Sequence, residues 1–432
     1  MMPTSTPLVS VIIPTHNRWK CLRLTLDALA RQTYSADLFE VVVILDGCND
    51  GSLEMLQNYT APYNLQFIEQ EQKGASTARN HGAGIAKGEL LIFLDDDVEA
   101  TSDLILAHVN VHNGSGHRVV IGYYPPALAG NKSLFSLELQ CWWEEIFHDM
   151  QETGHRFCYK DMLSGNFSIL REIYARVGGF DPDLPMREDY ELGMRLIQAD
   201  VDLIFEPQAL GLHHDQAILS KATHRKYVEG IADVRVGRKH PELIPTLLVW
   251  SLLNYAKLPS RLLQQLAYRS PRLANWIASK AAQMLPRLEK ARLVGLWRRV
   301  LYGVLAYWYW KGVIQELPTR KALQEFAVDP ASTTKSDNKP EIIIDISLGL
   351  DQAEETLDHE RPDSVELIFG DHFIGRLPYQ PGAERWRGKH LRPYLIRHFL
   401  FKLLKTFTIQ GMISFSVGTK EIRAFHQNDI LL

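Results

Sequence analysis

Short apolar runs alternate with helical patterns through roughly the first 240 residues of the chain. Leu8–Ile13 reads as a buried strand, Val41–Leu45 as a second, Leu65–Ile68 as a third and Leu90–Leu94 as a fourth. Helical stretches lie between them; in one, Leu22, Leu26 and Leu29 recur at i, i+4 and i+7 and share a face. The alternation predicts an α/β domain with a mainly parallel sheet covered on both faces. Ligands of such sheets gather beyond the carboxyl ends of the strands. The polar clusters of this chain stand at those ends: His16-Asn17 after the first run, Asp46-Gly47 after the second, Asp95-Asp96-Asp97 after the fourth.

From about Pro241 to Phe326 the pattern changes to helices rich in Leu, Trp and Arg. The stretch AVDPASTTKSDNKP at 327–340 is polar, holds two prolines and reads as a linker. Strand-like runs at Ile342–Ile346 and Val365–Phe369, then a helical stretch at Leu391–Phe407, predict a small α+β module. The expected organisation is therefore an α/β domain at 1–240, a helical extension at 241–326, a linker at 327–340 and a C-terminal module at 341–432.

Composition narrows the function classes. At 432 residues the chain exceeds one hydrophobic core, and 46% hydrophobic with 23% charged residues is ordinary for globular domains. A formal net charge of −4 gives no reason to expect a nucleic-acid partner. The four cysteines, Cys21, Cys48, Cys141 and Cys158, form no CxxC pair, so a reducing, cytoplasmic compartment is expected. Met1–Ser10 lacks the basic and apolar regions of a signal peptide, so the sequons at Asn58, Asn113, Asn131 and Asn166 read as chance matches. The apolar stretches near Leu247 and at Val300–Trp310 fall short of the ~20 residues a spanning helix needs.

Three segments carry chemistry. In LLIFLDDD, Leu90–Asp97, three acids directly follow an apolar strand, and like charges so placed need a positive neighbour. In an extended segment Asp95 and Asp97 face the same way and can converge on one divalent cation, Mg²⁺ or Mn²⁺, completed by phosphate oxygens and water. A solvated turn or a helix cap by Asp97 is the alternative; the position at a strand end favours metal and diphosphate. VVVILDGCNDGS, Val41–Ser52, is a turn whose Asp46 can accept from a base edge or ribose hydroxyl. MREDYELGMRL, Met186–Leu196, opens a helix with Glu188 and Asp189, where acids suit the macrodipole; partial burial would also make Asp189 a general base.

The succession VSVIIPTHNR, ILDGCNDGS, KGASTARNHGAGIAKGELLIFLDDD, LSGNFSILRE and VGGFDPDLPMREDYELGMRL resembles family 2 glycosyltransferases of the GT-A fold over roughly Leu8–His240. By that resemblance Pro14, Thr15, His16 and Asn17 would cradle the donor nucleotide, with Asp46 on the base and Arg79 near the donor. Asp95, with Asp96 beside it, would contact the nucleotide, and Asp97 the metal. Gly165 and Asn166 match the acceptor-side loop, joined there by Glu188, and Asp189 matches the catalytic base. His16 and the dense acidic triplet depart from the usual pattern. A histidine after the strand-like run Asp202–Phe205 often supplies a further metal ligand in this fold, and His213 is preferred over His214. Trp142, Trp143 and the loop near Gly154 are candidate acceptor contacts.

Two features lie outside the resemblance. His108 and His112 have the spacing of a zinc helix but lack the glutamate of HExxH, so a helix face is the better reading. The segment Leu293–Leu317 mixes Trp297, Tyr302, Tyr307, Trp308, Tyr309 and Trp310 with Arg298, Arg299 and Lys311, which suits either a core helix or a bilayer interface. Lipid-linked acceptors are common for the family, which tips the expectation toward peripheral contact with the inner face of the membrane. The expected protein is a metal-dependent, inverting glycosyltransferase. It would use a nucleotide-diphosphate sugar, Mn²⁺ or Mg²⁺ and a saccharide or lipid-linked acceptor, as in polysaccharide or glycolipid synthesis. The rivals are a sugar nucleotidyltransferase, for which Pro14-Thr15-His16-Asn17 is a poor phosphate loop, and a non-catalytic sugar-binding or scaffold protein, which would tolerate loss of the acids present here.

Overall fold

The apolar runs form the centre of an eight-stranded sheet. In the computed structural model, which describes residues 7–113, 117–127, 133–214, 217–255, 258–327, 341–409, 413–415 and 422–424, Val9–Thr15 (β1) pairs in parallel with Phe39–Asp46 (β2) and Leu90–Leu94 (β4). Asn64–Gln70 (β3) joins β2 in parallel at the edge. Every residue of β2 and β4 is buried, as a strand covered on both faces requires. Val98–Ala100 (β5), Arg118–Tyr123 (β6), Asn166–Leu170 (β7) and Asp202–His213 (β8) complete the order β3-β2-β1-β4-β7-β6-β8-β5. The sheet is mixed: β7 runs against β4 and β6, and β5 against β8. That reversal brings the start of β7 to the edge where β1, β2 and β4 end. The Asp95 amide donates to the Gly165 carbonyl across it at 3.0 Å.

Helices Trp19–Leu29 (α1), Ser52–Gln57 (α2), Ala75–Ile85 (α3), Leu104–His112 (α4), Leu134–Gln151 (α5), Arg171–Val177 (α6), Glu188–Gln198 (α7) and Leu219–Lys239 (α8) connect these strands. Leu22, Leu26 and Leu29 are buried on one face of α1, and Leu192 and Leu196 on one face of α7, as their spacing predicts.

Residues 1–148 and 158–332 form one compact unit, and residues 149–157 with 333–432 a second. The first includes the helical extension: Leu248–Asn254 (α9), Leu258–Arg269 (α10), Pro271–Lys290 (α11), Val294–Glu316 (α12) and Arg320–Phe326 (α13). The C-terminal part of the aromatic helix α12 packs in the core, whereas Val294, Leu296 and Tyr302 near its start are 40–55% exposed. Trp297, Tyr307, Tyr309 and Trp310 are each no more than 2% exposed. Tyr309 donates its hydroxyl to Asp233 on α8 at 2.6 Å, and Arg298 pairs with Glu138 on α5 at 2.9 Å. Backbones meet where α8 and α12 cross. A methyl on Gly312 would lie 1.9 Å from the Tyr227 carbonyl oxygen, and one on Gly230 2.1 Å from that of Tyr309. Among the described residues no helix is long and apolar enough to cross a membrane.

In the second unit Glu341–Asp345 (β9), Ser364–Phe369 (β10) and His372–Leu377 (β11) make a sheet in the order β11-β10-β9. Leu357, Val365, Leu367, Ile374 and Leu391 fill its core between the strands and the helices Leu350–Glu360 (α14), Gly388–Tyr394 (α15) and Leu400–Ile409 (α16). The segment around Gly154 belongs to this unit: Phe157 and Glu384 exchange hydrogen bonds, and the Arg156 guanidinium lies 4.1 Å from the Trp386 ring centre. Of the expected linker, residues 328–340 lie outside the described residues.

The packing of α12 sets two expectations. Trp310→Ala should cost about 3–5 kcal/mol, the usual result of truncating a large core aromatic. Gly312→Val should destabilise at least as much, because backbone stands where the side chain would go. Urea denaturation measures both, and a loss below about 1 kcal/mol for each would contradict the packing of α12 on α8.

Candidate active site

Beyond Leu94 the chain must accommodate three carboxylates, and it turns them to two arginines and a histidine from different elements. Asp95, the most open, pairs with Arg79 of α3 at 2.8 Å. Asp96 is turned into the fold, accepting from the Thr15 hydroxyl at 2.7 Å and from Arg18 at 2.9 Å. Asp97 meets Arg18 again and the Nε2 of His213, the latter at 3.4 Å. Burial would raise the Asp97 carboxyl, yet the hydrogen bond and charge of His213 and the Arg18 guanidinium hold it down at about 2. Asp96 goes the other way: burial pushes it up to about 7 against the pull of Arg18, with Asp97 adding repulsion.

A cavity of about 300 Å³ opens over this loop. Asp95 and Asp97 line it and Asp96 does not; the segment is a tight turn, closed by the Val98 amide donating to the Asp95 carbonyl at 3.2 Å, rather than the extended stretch expected from sequence. Asp96 instead fixes Thr15 and Arg18. Gly165 forms part of the wall, and a methyl there would come within 2.7 Å of the Tyr124 ring and 3.0 Å of Asp95 Oδ2. Asn166 is also corrected. It is fully buried, donating to the Ala209 carbonyl at 2.8 Å and meeting His108 at 2.9 Å, so it faces no acceptor. The polar chain continues from His108 through Ser168 to His112, and burial lowers both histidines, to about 4 and about 3. These two histidines are a buried helix face.

The far wall of the cavity is the start of α7. Arg79, itself buried, reaches across it and binds Glu188 at 3.0 Å while holding Asp95. Asp189 accepts from the Tyr190 amide at 2.8 Å, and burial together with the Glu188 charge pushes it up to about 7 against Arg187 and Arg79. His213 points into the cavity between Tyr124 and Trp143, whose rings lie 5.7 Å and 5.9 Å from its own. His214 turns away to Glu99 at 2.8 Å.

Pro14, Thr15, His16, Asn17 and Asp46 stand at the same sheet edge but outside this cavity. The Asp46 carboxylate accepts from the amides of Lys73 and Gly74 at 2.7 Å and 2.9 Å and from Gln70 at 2.8 Å. His16 donates from Nδ1 to the Asp46 carbonyl at 2.6 Å, and the exposed Asn17 accepts from the Asn49 amide at 2.7 Å. Sequence reasoning missed Arg18, Tyr124 and Arg225, all of which line the cavity. Arg18 had a signal, since three acids at a strand end require nearby cations; Tyr124 and Arg225 had none, because only tertiary packing brings them in.

One oxygen of Asp97, Oδ1, is buried without a hydrogen-bond partner among the described residues. Such an atom is costly unless something positive meets it. Asp97 and His213 thus fit a divalent cation that takes its remaining ligands from phosphate and water. No cluster of three His, Cys, Asp or Glu side chains suited to a metal occurs among the described residues.

A mixed sheet of this order, with an acidic loop after its fourth strand and an acid pair opening a helix across the cavity, is the GT-A architecture of nucleotide-sugar transferases. Residues 10–178 match the family model described as Glycosyl transferase family 2. Over 286 residues it is 33% identical to validoxylamine A glucosyltransferase of Streptomyces hygroscopicus subsp. jinggangensis, covering 59% of this chain and 66% of that protein. It is 26% identical over 273 residues to glycosyltransferase AglE of Haloferax volcanii, covering 61% of this chain and 86% of that one. The chain thus spans just under two thirds of the length of the validoxylamine relative. Among solved structures, mannosyltransferase PcManGT from Pyrobaculum calidifontis, in complex with GDP-Man and Mn²⁺, matches at 20% identity and a TM-score of 0.49. That match covers 71% of this chain and 87% of the other.

Arg79 ties the acidic loop to α7, and its removal should be felt in stability. Arg79→Met should cost about 3 kcal/mol, the lower end for breaking a buried ion pair, because Asp95 is partly open to solvent. Arg79→Lys should recover only part of this, since an ammonium cannot fork to both carboxylates. Chemical denaturation of the two variants checks the order.

Proposed function

We propose that this protein transfers a glycosyl group from a nucleotide-diphosphate sugar to an acceptor hydroxyl, with inversion at the anomeric carbon and with Mn²⁺ or Mg²⁺ as cofactor. The observation that carries the reading is one cavity holding both halves of that chemistry: Asp97 with its unpartnered oxygen beside His213, and Asp189 with raised proton affinity across from it. Asp97 and His213 would hold the cation, which when bound neutralises the diphosphate as a leaving group. Arg18 and Arg79 add fixed positive charge beside the same phosphates. Asp189 removes the acceptor proton as the acceptor oxygen bonds to the anomeric carbon. The bond from that carbon to the phosphate oxygen breaks, and its electron pair leaves with the nucleoside diphosphate. Gly165 and Glu188 border the acceptor side, and the loop of Pro14, Thr15, His16, Asn17 and Asp46 would seat the nucleotide base. The acceptor is a saccharide or a lipid-linked saccharide, in polysaccharide or glycolipid synthesis. Four unpaired cysteines support a reducing, cytoplasmic setting.

The acid positions of the family pattern are all occupied, which favours catalysis over a scaffold role. In Asp97→Ala the Mn²⁺-dependent part of nucleoside-diphosphate binding should vanish in calorimetry run well below the melting temperature, which itself falls because Arg18 and His213 lose a buried partner. Binding that keeps its Mn²⁺ dependence would remove Asp97 from the metal site. Asp189→Asn should keep donor affinity and lose about 10²–10⁴-fold in turnover. The base works only when deprotonated, so a carboxyl raised to about 7 makes kcat/KM climb with pH through that region. A profile flat from pH 5 upward would point to an acid of ordinary pKa instead.

A further inference from the structure

Besides the exposed start of α12, a basic and apolar surface lies on the two helices before it. We propose that the outward face of α10 and α11 docks on an anionic lipid bilayer. Between residues 258 and 292 the chain carries seven Lys or Arg against one acid, Glu289 (7 − 1 = +6), within a protein of formal charge −4. That single acid is turned inward, accepting from the Leu134 amide at 2.7 Å. The helix α11 carries apolar residues on both faces. It buries Ala274, Ala278, Leu285 and Leu288 and leaves Leu273, Trp276, Ile277 and Met284 between 38% and 59% exposed. At 100° per residue these four fall on one face, and Lys280 and Arg287 rise from the same face. Large apolar side chains turned to water beside cations are what an interfacial helix presents. The apolar groups enter the acyl boundary while the cations stay at the headgroups. Leu262 continues the apolar strip on α10 at 55% exposure.

Beside this face lies a mostly apolar pocket of about 250 Å³ lined by Ala267, Tyr307 and Ile314, with Arg272 and Lys311 in its wall. That combination of apolar lining and paired cations matches a phospholipid's glycerol and phosphate. The charge decides between occupants: a second copy of this chain would bring the same +6 surface against itself, whereas an anionic bilayer complements it. The inference does not depend on the transferase reading.

Vesicle sedimentation of the full chain is the test, with phosphatidylcholine vesicles made with and without phosphatidylglycerol. The protein should pellet with the anionic vesicles at low salt, remain in solution with phosphatidylcholine alone, and be released as salt rises. Lys280→Gln/Arg287→Gln and, separately, Leu273→Ser/Trp276→Ser should each weaken binding by roughly tenfold or more while the melting temperature stays put, because these side chains are exposed. Failure to pellet with the anionic vesicles, equal binding to neutral vesicles, or binding unmoved by either variant overturns the proposal. A dimer in solution that Leu273→Ser/Trp276→Ser dissociates overturns it in favour of a second copy. If a variant melts early, the salt and lipid dependence of the wild-type chain still decides.

Discussion

The charge balance of Asp95, Asp96 and Asp97 is the constraint on which the site is built. Three adjacent carboxylates at the end of a buried strand repel one another and lose hydration, and each must meet a cation to stay there. Arg18 comes from the turn after β1, Arg79 from α3 and His213 from the end of β8, so neutralising one loop fixes the approach of three elements. Arg79 carries the constraint further, to Glu188 at the start of α7. The acid proposed as base is thereby set opposite the acid proposed for the metal. The balance leaves Asp97 Oδ1 unpartnered among the described residues, which is the observation behind the proposed cation site.

Much of this was legible before any coordinates. Runs of apolar residues identified β1, β2 and β4, since a strand buried on both faces is apolar along most of its length; β3, an edge strand with no buried residue, showed only the short run Leu65–Ile68. The polar clusters stood where strand ends gather ligands. What the pattern could not carry was the turn from Asp95 to Val98, which sends Asp96 inward to Thr15 and Arg18 although it is as acidic as its neighbours. Asn166 shows the same limit. It adjoins Gly165 in the motif, yet β7 runs antiparallel to β4 and sends its side chain to Ala209 and His108.

The two amphiphilic helices of the extension show why aromatic content is a poor guide to exposure. In α12 the C-terminal part is buried, with Gly230 and Gly312 letting α8 approach to backbone contact, while Val294, Leu296 and Tyr302 near its start stay exposed. In α11 the residues facing inward are alanines and leucines of modest size, and the large side chains are left outside. A window of sequence rich in Trp, Tyr and Arg cannot tell these cases apart; the partner on each face does.

The central claim is that one cavity binds a nucleotide-diphosphate sugar and transfers its glycosyl group. Proton NMR of a panel of such sugars incubated with the protein, with and without Mn²⁺, addresses it directly. The account predicts that at least one donor releases its nucleoside diphosphate only when metal is present, and that the anomeric signal of the new glycoside or free sugar has the opposite configuration to the donor. Retention of configuration, or turnover indifferent to metal, would contradict it.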